Sequence, residues 1–181
     1  ESGVFHVKGK SLCLVNLHVD DYTIATKDEA LRKRIETALS TVFQVKSLGE
    51  LELFLGIVVE WNKDRTEVFL HQKPYHERLL ESSNHKDCSS ARTPAESSVK
   101  LSVHDMPADG EEKPTWPYMS VGGSLMYSAF GTRPDITQRV VQLARYNKNP
   151  GKAHVKAQKH ILKYIIKRIF EQWYPLQKAQ D

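Results

Sequence analysis

The sequence has no apolar run approaching the ~20 residues that a membrane helix needs. Its longest, Leu53-Phe54-Leu55-Gly56-Ile57-Val58-Val59, is strand-length. Cysteine is scarce: Cys13 and Cys88 stand 75 positions apart, which excludes a disulfide scaffold and a four-cysteine zinc site and fits a reducing compartment. No basic-then-apolar leader opens the chain, and it starts at Glu1 rather than Met. It therefore reads as a piece of something longer, intracellular, cytoplasmic or nuclear, with no membrane partner. A nucleophile elbow is absent, which argues against a Ser-His-Asp hydrolase. Gly122 and Gly123 do not form a phosphate loop. His71 with His76, and His85 with Cys88, are the nearest approach to metal-ligating pairs, and neither completes a recognised spacing. There is no internal repeat.

What is present suits a soluble globular chain of one domain or two small ones. It has 181 residues, 40% of them hydrophobic and 27% charged, with a mean hydropathy of −0.50. The net charge of +4 is unevenly placed. From Arg145 to the end there are nine Lys/Arg and two Asp/Glu, a net of +7, whereas the first 144 residues carry −3. A basic segment beside a mildly acidic body points to a local electrostatic site, with a solvated helix face as the plainer explanation.

Leu12–Leu17 and Tyr22–Thr26 read as strands joined by a short turn, His18-Val19-Asp20-Asp21. Thr26-Lys27-Asp28-Glu29 reads as a capping box with Thr26 as N-cap, and helical spacing of Leu31, Ile35, Ala38, Leu39 and Val42 predicts a helix over 27–43. Leu53–Trp61 and Glu67–Leu70 flank Asn62–Thr66 as a second hairpin. After Pro74 a short helix is expected over Tyr75–Ser82. Ser83–Pro117 is polar and aperiodic, long enough to suggest a subdomain junction. Helices follow at Tyr118–Phe130, Asp135–Tyr146 and Lys152–Phe170, broken at Gly131–Pro134 and Asn149–Gly151.

Two features carry chemistry. Adjacent Asp20 and Asp21 repel each other, and apolar flanking strands make their burial costly. A divalent cation such as Mg²⁺ relieves that conflict, because it takes carboxylate oxygens readily; an ordinary Asp-rich turn is the alternative. Lys152, Lys156, Lys159, Lys163 and Lys167 share one helix face, with Val155, Ile161, Leu162, Ile165, Ile166 and Ile169 supplying the packed side. A row of phosphates offsets the mutual repulsion of such a stripe, and Arg145, Lys148 and Arg168 extend it. Cys13, Trp61, Trp116 and Trp173 are expected to pack rather than react or stack on bases, as are Tyr118, Tyr127 and Tyr164.

Several segments, in order, resemble one family. Leu14-Val15-Asn16-Leu17-His18-Val19-Asp20-Asp21-Tyr22-Thr23-Ile24 resembles the Tyr-Val-Asp-Asp hairpin of reverse transcriptases. Ser47–Ile57, with its Leu-Gly-Glu and Phe-Leu-Gly-Ile, Gln72-Lys73-Pro74-Tyr75, Gly123-Ser124-Leu125-Met126-Tyr127, Thr132-Arg133-Pro134-Asp135-Ile136 and Ile161-Leu162-Lys163-Tyr164 resemble the Copia-type LTR retrotransposon branch. The resemblance covers about residues 4–166. It implies that Asp20 ligates Mg²⁺ (or Mn²⁺), that Asp21 is its less directly engaged catalytic neighbour, and that Phe54, Leu55, Gly56 and Ile57 form a primer-grip-like hairpin. It implies a partial palm over 1–72, a thumb-like segment over 73–117, and a helical connection over 118–181, with an RNA/DNA template–primer as partner. His18 stands where the family has Tyr. The family's other metal-binding Asp and its fingers lie upstream of the hairpin and have no place in the 19 residues before Asp20.

The expected architecture is therefore α+β: partial-palm hairpins plus a helix, then a mainly helical part. An incomplete palm leaves an exposed edge, to be filled by the missing polymerase portions, by a homodimer, or by the divergent Phe170–Pro175. Two functions follow. One is a fragment of an RNA-directed DNA polymerase, inactive alone. The other is a decayed or domesticated non-catalytic module that binds nucleic acid or protein.

Overall fold

A computed structural model describes residues 2–6, 12–96, 98–168 and 174–177. The protein is a mixed α and β chain that divides into two compact units, Glu1–Leu51 and Glu52–Asp181.

In the first unit, β1 (Ser2–His6), β2 (Cys13–His18) and β3 (Asp21–Thr26) form an antiparallel sheet in that order. β1 is an addition to the sequence reading, which assigned nothing before Leu12. The β2–β3 register runs from Cys13↔Thr26 to His18↔Asp21, leaving Val19 and Asp20 as a two-residue turn. α1 (Glu29–Val42) follows, and its cap differs from expectation. Asp28 is the N-cap, accepting from the Leu31 amide at 3.0 Å. Thr26 Oγ1 instead accepts from the Asp28 amide at 3.1 Å and donates to the Leu12 carbonyl at 3.0 Å. Asp28 wins because the chain stays extended through Thr26, still paired with Cys13. Glu29, freed from a capping role, pairs with Arg32, which also reaches Glu36 at 2.6 Å. Cys13 is buried as expected, but no residue of α1 is, and Val4, Phe5, Leu12, Val42, Phe43 and Leu48 stay largely exposed.

The second unit holds an antiparallel sheet of β4 (Leu53–Phe54), β5 (Ile57–Trp61), β6 (Glu67–His71) and β7 (Tyr174–Gln177), in that order. Leu53–Trp61 is thus not one strand. It folds back at Leu55 (φ +50°) and Gly56 (φ +75°), two left-handed residues of the kind that match strand twist in a tight hairpin. The Asn62–Thr66 turn is as expected. The Asn62 side-chain oxygen accepts from the Thr66 and Glu67 amides at 2.8 and 3.1 Å. β7 pairs along the free edge of β6 from Glu67↔Gln177 to Leu70↔Tyr174, while residues 170–173 and Trp173 with them lie outside the described residues.

Among the described residues, four α-helices complete this unit: α2 (Lys73–Ser82), α3 (Tyr118–Gly131), α4 (Thr137–Ala144) and α5 (Lys152–Arg168). α2 starts two residues earlier than expected, since Pro74 fits the first turn, where its missing N–H costs nothing. The Asp135–Tyr146 helix is shorter at both ends. Pro134–Ile136 is a 3₁₀ turn, and beyond Ala144 the bonds tighten to i→i−3, with the Tyr146 amide on the Leu143 carbonyl at 3.0 Å. α5 is described to Arg168, so the expected extension to Phe170 and the apolar Ile169 lie outside the described residues.

The 83–117 stretch is no junction. It carries a 3₁₀ turn, Val103–Asp105, closed by a Ser102/Asp105 capping box, and it lies on the helices. The Ala91 amide donates to the Lys163 carbonyl at 3.0 Å, the Tyr146 hydroxyl to Leu101 at 3.1 Å, and Trp116 Nε1 to Gln158 Oε1 at 2.6 Å. Gly151 touches the Asp105 backbone so closely that any Cβ would overlap its carbonyl. The core is here: Leu80, Leu125, Ile136, Val140, Ile161, Leu162 and Ile165 are buried together. Among the described residues no helix is long and apolar enough to cross a membrane.

Candidate active site and nucleic-acid surface

The carboxylate pair is delivered by hairpin geometry. β2 and β3 are six residues each, so Asp20 sits in the turn and Asp21 opens β3 opposite His18. Val19, beside them, has φ +53°. A β-branched side chain is a rare occupant of that region, and such strain costs about 1–3 kcal/mol. Both carboxylates are exposed, which corrects one premise of the sequence argument: burial does not force them to seek a cation. Their repulsion is screened by water and salt. Among the described residues no third carboxylate, His or Cys joins them in a metal-holding group. As donors they are still of the right kind, because Mg²⁺ takes hard oxygen ligands and commonly keeps only one or two carboxylates. They would form part of a divalent-cation shell, and such an ion, when bound, would supply charge stabilisation to attacking and leaving oxygens.

The histidine pairs have structural surroundings. His71 Nε2 lies 3.2 Å from Glu60 Oε1, and its Nδ1 accepts from the Lys73 amide. His76 is buried, and burial, followed by the nearby Arg133 guanidinium, pushes its pKa down to about 4. His85 Nδ1 pairs with the Ser83 carbonyl at 2.6 Å and the ring meets Trp116 edge-on, while Cys88 Sγ faces the Asn84 carbonyl at 3.9 Å.

The Phe54–Ile57 turn lies beside α3 in the second unit. Phe54 and Ile57 are half-buried, Leu55 and Gly56 exposed. The Tyr127 hydroxyl donates to the Leu55 carbonyl at 2.5 Å. An open, mainly apolar cleft of about 550 Å³ runs here, lined among others by Leu55, Ile57, Met119, Gly123 and Phe130. α3 has no charged residue, and its Met119 and Phe130 are exposed.

The lysine stripe is less uniform than its spacing suggests. Lys152, Lys156 and Lys167 are exposed, as are Arg145 and Lys148, but Lys159 and Lys163 are half-buried. The Lys159 ammonium sits 4.5 Å over the Trp116 ring, a cation–π contact that ties it to the 83–117 segment. Trp116 packs as expected, and Tyr118 and Tyr164 are buried, whereas Trp61 and Tyr127 are over 40% exposed.

Sequence reasoning passed over a buried polar knot. Gln72 Oε1 accepts from Thr132 Oγ1 at 2.9 Å, and Arg133 grips Asp135 through two 2.9 Å bonds while lying over the Tyr164 ring. A Cβ at Gly131 would come within 2.5 Å of Gln72 Oε1, so any larger residue there displaces the Gln72 amide from Thr132. The signal was the Gln72–Tyr75 and Thr132–Ile136 pair of motifs, read separately though they meet in space.

Comparison with known proteins gives the family. The family described as "Reverse transcriptase (RNA-dependent DNA polymerase)" matches residues 1–97. The chain is 39% identical over 152 residues to the retrovirus-related Pol polyprotein from transposon TNT 1-94 of Nicotiana tabacum, covering 82% of this chain and 11% of that one. It is 36% identical over 160 residues to the Pol polyprotein from transposon RE1 of Arabidopsis thaliana, covering 87% and 10%. An uncharacterised mitochondrial protein of Arabidopsis thaliana is 30% identical over 162 residues, covering 87% of this chain and 63% of that protein. The chain thus spans about a tenth of the polyproteins it resembles. No solved structure matches it. The Asp-Asp hairpin, the family match across it and the likeness over most of the chain to transposon Pol polyproteins place this chain in the reverse transcriptase family, in its Copia-type retrotransposon branch.

Proposed function

We propose that this chain is the stretch of a Copia-type reverse transcriptase that carries the paired aspartates and the primer-grip-like turn. RNA-directed DNA synthesis then belongs to the intact polyprotein, and this chain alone does not extend a primer. The observation that carries the reading is Asp20 and Asp21, exposed at a two-residue hairpin tip within the family match. Asp20 takes the role of direct Mg²⁺ or Mn²⁺ ligand and Asp21 that of its neighbour, with His18 beside them. One carboxylate pair cannot by itself hold two ions for in-line displacement; the earlier palm Asp and the fingers come from elsewhere in the polyprotein. On this reading 1–72 is partial palm, 73–117 thumb-like and 118–181 a helical connection. The exposed Lys152, Lys156 and Lys167 follow the phosphate backbone of a template–primer.

One observation favours a second reading. In the Arabidopsis mitochondrial protein the matched stretch makes up 63% of the whole, so this segment also occurs as the greater part of a short protein. A retained, non-catalytic binding module is that reading. The reading frame upstream of Glu1 separates the two: fingers and a palm Asp support the polymerase, an unrelated leader supports the module.

Binding of a recessed RNA–DNA template–primer, followed by fluorescence anisotropy across a salt series, tests the nucleic-acid role that the proposal requires. Affinity is expected to fall steeply with salt and to show little sequence preference. Absence of binding at low salt overturns the proposal.

A further inference from the structure

The β4–β5 hairpin has two register pairs, Leu53↔Val58 and Phe54↔Ile57. β5 is also paired with β6 from Val58 to Trp61, and the Val59 amide donates to the Glu52 carbonyl at 2.8 Å. Neither of these reaches the Leu55-Gly56 turn, which leaves room for an outside anchor. Tyr127 supplies one. Its hydroxyl donates to the Leu55 carbonyl across 72 residues of sequence. The ring that carries the hydroxyl is itself fixed. It meets Tyr75 edge-on with centroids 4.7 Å apart at 66°, and the Tyr75 hydroxyl donates to the Ser124 carbonyl on α3 at 3.2 Å. The same Tyr127 hydroxyl closes the space over Gly56, where a Cβ would overlap it. Two positive φ values and one side chain therefore define the turn together.

We propose that Tyr127 is a positioning residue. Its hydroxyl sets the Leu55-Gly56 turn, and through it the backbone that Phe54–Ile57 present to a primer 3′ end. The proposal rests on the primer-grip reading of this turn, and adds the residue that makes the turn one shape.

Tyr127→Phe keeps the ring on Tyr75 and removes only the donor. The full 181-residue chain is compared with this variant in two measurements. The first is amide hydrogen exchange at Ile57 and Val58. The second is the preference for a recessed 3′ end over a blunt RNA–DNA duplex of equal length. Exchange is expected to quicken roughly three- to tenfold, the size of one lost hydrogen bond, and the preference to fall by a similar factor. The thermal midpoint is expected to fall by no more than about 2–4 °C, the share of that one bond, and the salt dependence of binding to stay unchanged. A fallen preference for recessed ends then reads on the turn rather than on global unfolding or phosphate contacts. Gly56→Ala should harm end preference less in the Tyr127→Phe background, where the clashing oxygen is gone. Unchanged exchange in Tyr127→Phe overturns the positioning role and leaves the primer-grip reading standing. Quicker exchange with unchanged preference overturns the link between the turn and the primer. A wild-type chain with no preference for recessed ends sinks the primer-grip reading itself.

Discussion

Protonation of His76 adds a positive charge beside the buried Arg133 guanidinium. Asp135, also facing this knot, is already engaged by Arg133, and His71 is the other titratable group acting on it. The folded pKa is about 4, below the ordinary 6.5. The unfolded chain therefore binds the proton first, and stability is lost as pH falls from 6.5 through 4. The loss approaches about 3 kcal/mol. His154, also shifted down by burial, adds to it with the same sign. Urea unfolding at pH 7 and pH 4.5 checks this: His76→Asn should flatten the pH dependence. Gly151 offers a second test at this scale. Gly151→Ala drives a Cβ into the Asp105 carbonyl, a backbone atom with little room to yield. The expected cost is about 1–3 kcal/mol, read as a lower thermal midpoint. The sequence marked His76 only as a metal-ligand candidate beside His71, and Gly151 only as part of a turn; neither structural role was visible in it. A histidine in an amphipathic helix and a glycine after a proline are unremarkable until the chain segments that meet them are known. Asp20 and Asp21 were conspicuous because motif context surrounded them, yet their exposure was not foreseen. Hydrophobic neighbours along a strand do not tell which face a turn presents.

Among the elements, the long helices and the first and Asn62–Thr66 hairpins were legible, because period and turn residues agreed. Three features were not. The Leu55-Gly56 fold-back hides inside a continuous apolar run, and only the positive φ values reveal it. The cap of α1 moved from Thr26 to Asp28 because sheet pairing holds Thr26 extended. The 83–117 stretch has no periodicity, yet it packs through scattered anchors such as Leu101 and Trp116. That packing divides the lysine face of α5. Reversing Lys152, Lys156 and Lys167 to Glu should lower the slope of log affinity against log salt by about 2–3 while leaving the fold intact. Lys159→Glu should instead loosen the Trp116 segment, with a loss on the order of 0.5–1 kcal/mol, seen in Trp fluorescence during unfolding. Equal effects of the two sets on the salt slope contradict this division.

At the scale of the molecule, the two units differ in how they are held. Among the described residues, Cys13 is the one buried hydrophobic residue of Glu1–Leu51, whereas the clustered core lies in the second unit. Stability should differ accordingly. Native-state hydrogen exchange is expected to show α1 and β1–β3 opening far more readily than α3 and α5; equal protection contradicts it. On the proposed function, the exposed Val4, Phe5, Val42 and Phe43 would form a surface for the remaining polymerase to cover. Light scattering after size exclusion shows whether copies of the chain cover it instead. The decisive measurement is primer extension by the purified 181-residue chain on an RNA template–DNA primer, with dNTPs and Mg²⁺ or Mn²⁺. The account predicts a bound but unextended primer; templated extension that Asp20→Asn abolishes would contradict it.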